Sequence, residues 1–174
     1  MSTATQQALI IPSPQAPFVV GPRPITVPGK GEVRLKLLSA GLNPMNIVQH
    51  QTNFFIPEYP AIIGVDLAGV IDEVGEGVVG FAKGDEVFAQ AMNGGFQQYT
   101  TVPSATLIRK PKNISFDDAA SFQELPKMVE KGVIVPNRIE VLPNGLAGIP
   151  DALERMKAGV RGVKLVAHPQ ESAA

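Results

Sequence analysis

Cysteine is absent from this 174-residue sequence, which excludes a disulfide framework, a thiolate nucleophile and thiolate-held structural zinc. Histidine is scarce: His50 and His168 are the only 2, and neither has a second imidazole near it in sequence to build a ligand set, so each is expected to be exposed and non-catalytic. Net charge is lacking as well. Lysine plus arginine number 15 against 16 acidic residues, a balance that gives no broad attraction to nucleic acid or to an anionic membrane. No apolar run approaches the roughly 20 residues that a membrane-spanning helix requires. The first apolar stretch, residues 8–11, is stopped by Pro12 and Pro14 and is too short for the hydrophobic region of a signal peptide. These absences predict a soluble, cytoplasmic chain with neither nucleic acid nor membrane as a partner.

The length suits one well-buried domain. Glycine (17) and proline (16) are plentiful, and they punctuate apolar runs instead of forming a low-complexity tract, the pattern of many turns between short strands. Residues 8–11 can form a first strand. The proline-studded stretch 12–28 should be extended edge structure on the outside of the body, because proline cannot donate to a central ladder. Residues 32–38 alternate charged and apolar side chains with period two, a strand with one wet and one buried face. Residues 62–74, IIGVDLAGVIDEV, read as a buried strand that Gly64 and Gly69 bend. Shorter strands are expected at 86–89, 96–102 and 106–109.

Beyond Ser115 the character changes. Phe116 opens a helix with Asp117 and Asp118 near its positive end. A second helix follows almost without a linker, with Leu125, Met128 and Val129 on one face, Pro126 in its first turn and Gly132 past its end. Strands at 133–135 and 138–142, a helix at 150–157 closed by Gly159, and a last strand at 162–166 complete the reading. Residues after Pro169 should fray.

Several of these segments carry a family likeness. GVDLAGVIDEVG at 64–75, followed by FAKGDEV at 81–87, resembles the hallmark of the medium-chain dehydrogenase/reductase superfamily. AGLNPMN at 40–46 is similar to the AGLNPxD-type segment of its quinone oxidoreductase and enoyl reductase branches, and GGFQQY at 94–99 to their GGFAEY segment. LPKMVEKGVIVP at 125–136 and ALERMKAGVRGVKLV at 152–166 resemble the elements that close the family's substrate domain. The resemblance implies a mainly β, GroES-like, partly open β-barrel with a few helices, its C-terminal helices and strand packing back on the barrel. It further implies one domain in two segments, 1–120 and 125–174, joined near 121–124, where the family inserts its nucleotide-binding Rossmann domain.

The resemblance also sets expectations for chemistry. The zinc-dependent branch uses a cysteine near Gly41 and a histidine–glutamate pair near Gly64, and neither is present, so no metal is expected. In zinc-independent relatives a hydride passes from NADPH to a polarised alkene or quinone, while the barrel shapes the pocket and donates hydrogen bonds. Asn43 falls on the family's amide position, Asn46 replaces the common aspartate, and Gln49 is a further polar candidate. Val48 stands where some quinone oxidoreductases carry tyrosine, and Phe54 is a candidate aromatic wall. Asp66 reads as a structural carboxylate, since burying its charge requires hydrogen-bonded partners. Asp85 reads as a side chain that fixes its turn through an Asx-type bond.

A dinucleotide site needs a glycine-rich turn between a strand and a helix. Residues 75–80, GEGVVG, match G-x-G-x-x-G literally, but FAKGD follows where a helix is required, so this segment is expected to be a barrel turn. No cofactor is therefore expected on this chain alone. Three functions follow: a substrate-binding, oxidoreductase-type domain that does not turn over by itself; a non-enzymatic binding or scaffold module, natural or engineered, that forms homo-oligomers through surface left open by the missing domain; and, least supported, a co-chaperonin-like protein.

Overall fold

A computed structural model describes residues 4–121 and 137–172. The helix expected around Leu125 to Gly132, the strand at 133–135 and most of the joint at 121–124 lie outside the described residues. The described part is mainly β with a few helices, as expected, and its sheets are open.

Strands β1 (Thr5–Ile10) and β2 (Val19–Pro24) form an antiparallel pair of their own, registered from Thr5 opposite Pro24 to Ile10 opposite Val19. Pro22 and Pro24 are tolerated because β2 is an edge strand. The pair is tied to the rest through Leu9 N–H to the Phe96 carbonyl (2.8 Å) and a bridge between Ile11 and Ala61.

The main sheet has seven strands. At its centre is β3 (Glu32–Gly41), whose period-two pattern buries Val33, Leu35 and Leu37 completely and leaves Lys36 exposed. It pairs antiparallel with β4 (Asp66–Val74) along one edge, and along the other with β6 (Tyr99–Pro103) and, at its end, β9 (Lys164–Ala167). Strands β5 (Glu86–Gln90) and β7 (Ile108–Arg109) extend the β4 side, and β8 (Ile139–Val141) extends the β9 side.

The strand expected over 62–74 begins only at Asp66. Gly64 adopts φ +112°, and a side chain there would lie 2.8 Å from Phe96 and Gly95, so the chain runs irregularly before the ladder starts. At Gly69 β4 runs on unbroken, and the irregularity there lies on its partner: the β3–β4 register shifts between Leu37 and Ser39, with Leu38 the extra residue, while a Cβ on Gly69 would sit 2.1 Å from the Lys36 carbonyl. The strand expected at 96–102 likewise begins later, at Tyr99: the Phe96 carbonyl and the Gln98 N–H bond to Leu9 and Gln7 of β1, and of the two residues only Gln98 also reaches β3, its carbonyl accepting from Leu37 N–H.

Three helices are described. α1 (Pro44–Thr52) follows β3, α2 (Phe116–Ala119) closes the first segment, and α3 (Ile149–Lys157) joins the parallel strands β8 and β9 in a βαβ unit. Asp151 near the start of α3, Arg155 and Lys157 in its last turn, and Gly159 at φ +103° beyond its cap are the residue types a helix favours at those places.

The largest core cluster joins both segments: Leu9, Leu42, Ile63 and Phe96 pack with Leu142, Leu146, Ile149, Leu153 and Leu165. The expectation that the chain frays after Pro169 is corrected. Residues Pro169–Glu171 form a 3-10 turn, Gln170 Nε2 donates to the Leu37 (3.1 Å) and Gln98 (2.7 Å) carbonyls, and Ser172 Oγ accepts from Leu146 N–H (2.7 Å). The turn is held because it satisfies backbone groups of β3 and of the turn before α3.

Candidate functional site

The end of β3 and the start of α1 build a buried polar cluster. Gly41 is needed there, since a Cβ would lie 2.2 Å from the Ala120 carbonyl. Asn43 is the N-cap residue, extended at φ −132°, and Pro44 suits the first turn. Asn46 Oδ1 accepts from Asn43 N–H at 2.8 Å, which supplies one half of a capping box.

From these two residues the hydrogen bonds run in both directions. Asn46 Nδ2 donates to Gln49 Oε1 (3.2 Å); Gln49 Nε2 donates to the Met92 carbonyl (2.9 Å) and Asn93 Oδ1 (3.0 Å); Asn93 Nδ2 donates to the Phe55 carbonyl (2.7 Å). On the other side, Asn43 Nδ2 donates to Asp66 Oδ2 (2.8 Å), and Lys164 Nζ donates to both Asn43 Oδ1 (2.7 Å) and Asp66 Oδ2 (2.9 Å). Gln90 Nε2 reaches Asp66 Oδ1 at 3.3 Å. Asn43, Asn46, Gln49 and Asp66 are 3%, 0%, 0% and 2% exposed, so the centre of the network lies inside the protein and its members satisfy one another, while Asn93 and Lys164 are partly buried and Gln90 is exposed at its margin.

The structure thus brings three of the four candidate residues together. Phe54 stands apart from them: it is 44% exposed and meets Phe55 edge to face, with ring centres 4.2 Å apart. Met45, Val48, Phe55 and Met92 are exposed apolar side chains as well; Met45 and Val48 lie on α1 with the network, and the carbonyls of Met92 and Phe55 accept its bonds. A groove of about 200 Å³ adjoins Asn93, lined among others by Arg23, Ile56, Glu58, Ile62 and Gln97.

Asp66 ties the starts of α1 and of β9 to the end of β5. Lys164, Asn93 and Gln90 escaped sequence reasoning. A lysine in the apolar last strand was a signal that a buried partner was needed, but the partner, Asp66, lies 98 positions away and nothing local names it.

The remaining polar candidates sit elsewhere. His50 is half-buried, not exposed as expected: it stacks on Phe18 with ring centres 4.4 Å apart, and its Nε2 meets the Ala16 carbonyl at 2.8 Å. Asp85 Oδ2 accepts from Ala82 N–H at 2.9 Å, so it fixes its turn by reaching back three residues and not through the Asx-type bond expected; this bond and the Arg109 guanidinium hold its carboxyl below the ordinary aspartate value. Among the described residues no group of three or more histidine and acidic side chains could hold a metal ion. No described helix is long and apolar enough to cross a membrane.

The described residues do not fit a dinucleotide pyrophosphate. GEGVVG at 75–80 lies in the connection from β4 to β5 and is followed by no helix. Glycines do precede α3, but Gly145 is crowded by Ser172 and the His168 carbonyl, and Gly148 by the Pro143 carbonyl, so the chain's own atoms fill that turn.

An open β body whose C-terminal βαβ unit returns to the central strand defines a GroES-like domain. The alcohol dehydrogenase GroES-like domain matches residues 29–112. The trans-enoyl reductase tazE of Aspergillus terreus is 35% identical over 133 residues, 69% of this chain and 44% of that protein. The chloroplastic NADPH-dependent alkenal/one oxidoreductase of Arabidopsis thaliana is 30% identical over 152 residues, 78% of this chain and 39% of that protein. In fold, the quinone oxidoreductase from Coxiella burnetii superposes with a TM-score of 0.63 at 20% identity, covering 93% of this chain and 56% of that one. The chain belongs to the medium-chain dehydrogenase/reductase superfamily, among relatives of the enoyl reductase and quinone oxidoreductase type. It spans about two fifths of the length of these two curated relatives, 44% and 39%.

Proposed function

We propose that this chain is the substrate-binding part of a zinc-independent, NADPH-dependent alkene or quinone reductase, and that it does not turn over by itself. The observation that carries this reading is the fully buried network of Asn43, Asn46 and Gln49, locked by Lys164 and Asp66 and accompanied by the exposed apolar side chains on α1 and at Phe55 and Met92. A rigid polar floor with an apolar wall is what a flat, weakly polar substrate requires. In this proposal Asn43, Asn46 and Gln49, buried and engaged with one another, hold the floor in place from beneath by fixing α1 and the backbone at Met92 and Asn93, and Phe54 lines the wall. NADPH supplies the hydride in such enzymes. The described residues lack a cradle for its pyrophosphate, so their part is confined to binding and orienting the substrate.

The same reading places a nucleotide-binding domain, in relatives, between the two segments. Calorimetric titration of the purified chain with NADPH, followed by assay with an enone and a quinone, tests the proposal. No measurable heat of binding and no NADPH oxidation are expected. A low-micromolar dissociation constant with hydride transfer would overturn it.

A second reading, a non-enzymatic module that self-associates, is favoured by the exposed Phe54, Phe55, Val48 and Met92, apolar side chains that a second copy could cover. Sedimentation velocity distinguishes it, since a monomer at all concentrations removes this reading.

A further inference from the structure

The end of the first segment and the C-terminal turn meet at one imidazole. His168 follows β9; its Nδ1 lies 2.8 Å from Glu171 Oε1 in the 3-10 turn, and its Nε2 lies 2.9 Å from Asp117 Oδ1 in the first turn of α2, 51 positions away. A neutral imidazole has a single N–H and can donate to only one of these carboxylates; the other ring nitrogen would then turn a lone pair toward a carboxylate oxygen. The imidazolium supplies both donors. A hollow of about 380 Å³, lined by Leu38, Ser115, Phe116 and Gln170 with the three charged residues, lets water reach the ring.

We propose that His168 is a pH-operated clamp: as an imidazolium it pins α2 to the C-terminal turn, and its deprotonation releases α2. The four-residue helix is otherwise held by its Ser115 cap and by Phe116, Ala119 and Ala120 packed on Ala68, Phe88 and Ile114, so release here means a loosening of its hydrogen bonds and not its departure from the core. Just past its end the Ser121 carbonyl accepts from Asn137 Nδ2 at 3.1 Å, so α2 also bears on the start of the second described stretch. This goes beyond the proposed function and does not depend on whether the chain binds a reductase substrate.

The charged groups around the ring agree with this assignment. Burial disfavours the imidazolium, but the hydrogen bonds of Glu171 and Asp117, with their negative charges, outweigh it and raise His168 above the ordinary histidine value. Asp118, next on α2, is turned to the Ser115 N–H (3.0 Å) and hydroxyl (2.7 Å). Lys110 is engaged with Glu86 at 3.0 Å and lies over the Phe116 ring. Because the folded-state value is raised, the clamp is complete below the unfolded histidine value and is lost as pH rises through the folded one.

Nitrogen-15 NMR of the full chain, from about pH 5.5 to about pH 8.5, spans this titration. The ring nitrogens of His168 should titrate above the ordinary histidine value. Over the same interval the exchange protection factors of the Ala119, Ala120 and Ser121 amides, bonded to the Ser115, Phe116 and Asp118 carbonyls, should fall about three- to tenfold, the loss of one net hydrogen bond. Amides of the β3–β4 ladder should hold theirs. His168→Gln should abolish the step; Asp117→Asn, which keeps the imidazole, should lower its titration point and leave α2 poorly protected at the acid end. A ring that titrates at or below the ordinary value, protection that does not change with pH, or a step that persists in either variant overturns the clamp.

Discussion

Lys164 and Asp66 place an ion pair where Asp66 is 2% exposed and the lysine side chain 13%. Removing one partner strands a charge in a low-dielectric site, whereas replacing both by apolar groups does not. Lys164→Met should therefore lower the unfolding free energy by about 3–5 kcal/mol in urea titrations, and the double change Lys164→Met with Asp66→Leu should recover much of the loss. Ser39 is the opposite case. Among the described residues its Oγ is the buried side-chain polar atom without a hydrogen-bond partner, at 0% exposure, so the hydroxyl contributes desolvation cost and nothing in return. Ser39→Ala should be neutral or stabilising by up to about 1 kcal/mol; destabilisation beyond that in the same titration would mean that the hydroxyl has a role no contact reveals. The candidate amides were picked out in sequence by the family segment alone, and the capping arrangement of Asn43 and Asn46 is seen only in the fold. Their partner Lys164 was not, because long-range pairing leaves no local periodicity.

The elements best anticipated are those whose signal is local. The period-two alternation of β3, and Pro150 with Gly159 around α3, specify their structure within a few residues of chain. Elements that failed at a boundary did so where tertiary contacts compete. Residues 62–65 are as apolar and β-branched as the strand they precede, yet Gly64 packs so closely on Gly95 and Phe96 that a Cβ there would lie 2.8 Å from them, and this close packing accompanies the start of the ladder at Asp66. The tail after Pro169 carries no periodic signal at all; Gln170 and Ser172 order it by bonding groups of β3 and of the turn before α3. At this scale α2 tests how much a short helix owes to its cap. Asp118 N–H donates to Ser115 Oγ and Ser115 N–H to Asp118 Oδ2, each at 3.0 Å, a reciprocal capping box. Ser115→Ala removes the hydroxyl half and should cost about 1 kcal/mol of stability, read as a lower urea midpoint with an unchanged slope.

For the whole molecule, the two segments form one folding unit. The cluster that contains Leu9, Leu42, Ile63 and Phe96 of the first segment is completed by Leu142, Leu146, Ile149, Leu153 and Leu165 of the second. Burying each of these five side chains contributes about 1.5–3 kcal/mol, so together they match the roughly 5–15 kcal/mol by which a domain is normally stable. Strand β9 also covers the end of β3 and supplies the lysine that neutralises Asp66. A chain ending at Ser121 should accordingly show no cooperative urea transition by circular dichroism, although all of β1 to β7 and α1 remain in its sequence. Adding the peptide 137–174 should restore the transition, because that piece carries the complete β8–α3–β9 unit and the C-terminal turn. If instead the first segment unfolds alone with a sharp transition, the core does not depend on the second segment. The proposal of one domain built from the segments 1–120 and 125–174 would then lose its physical basis.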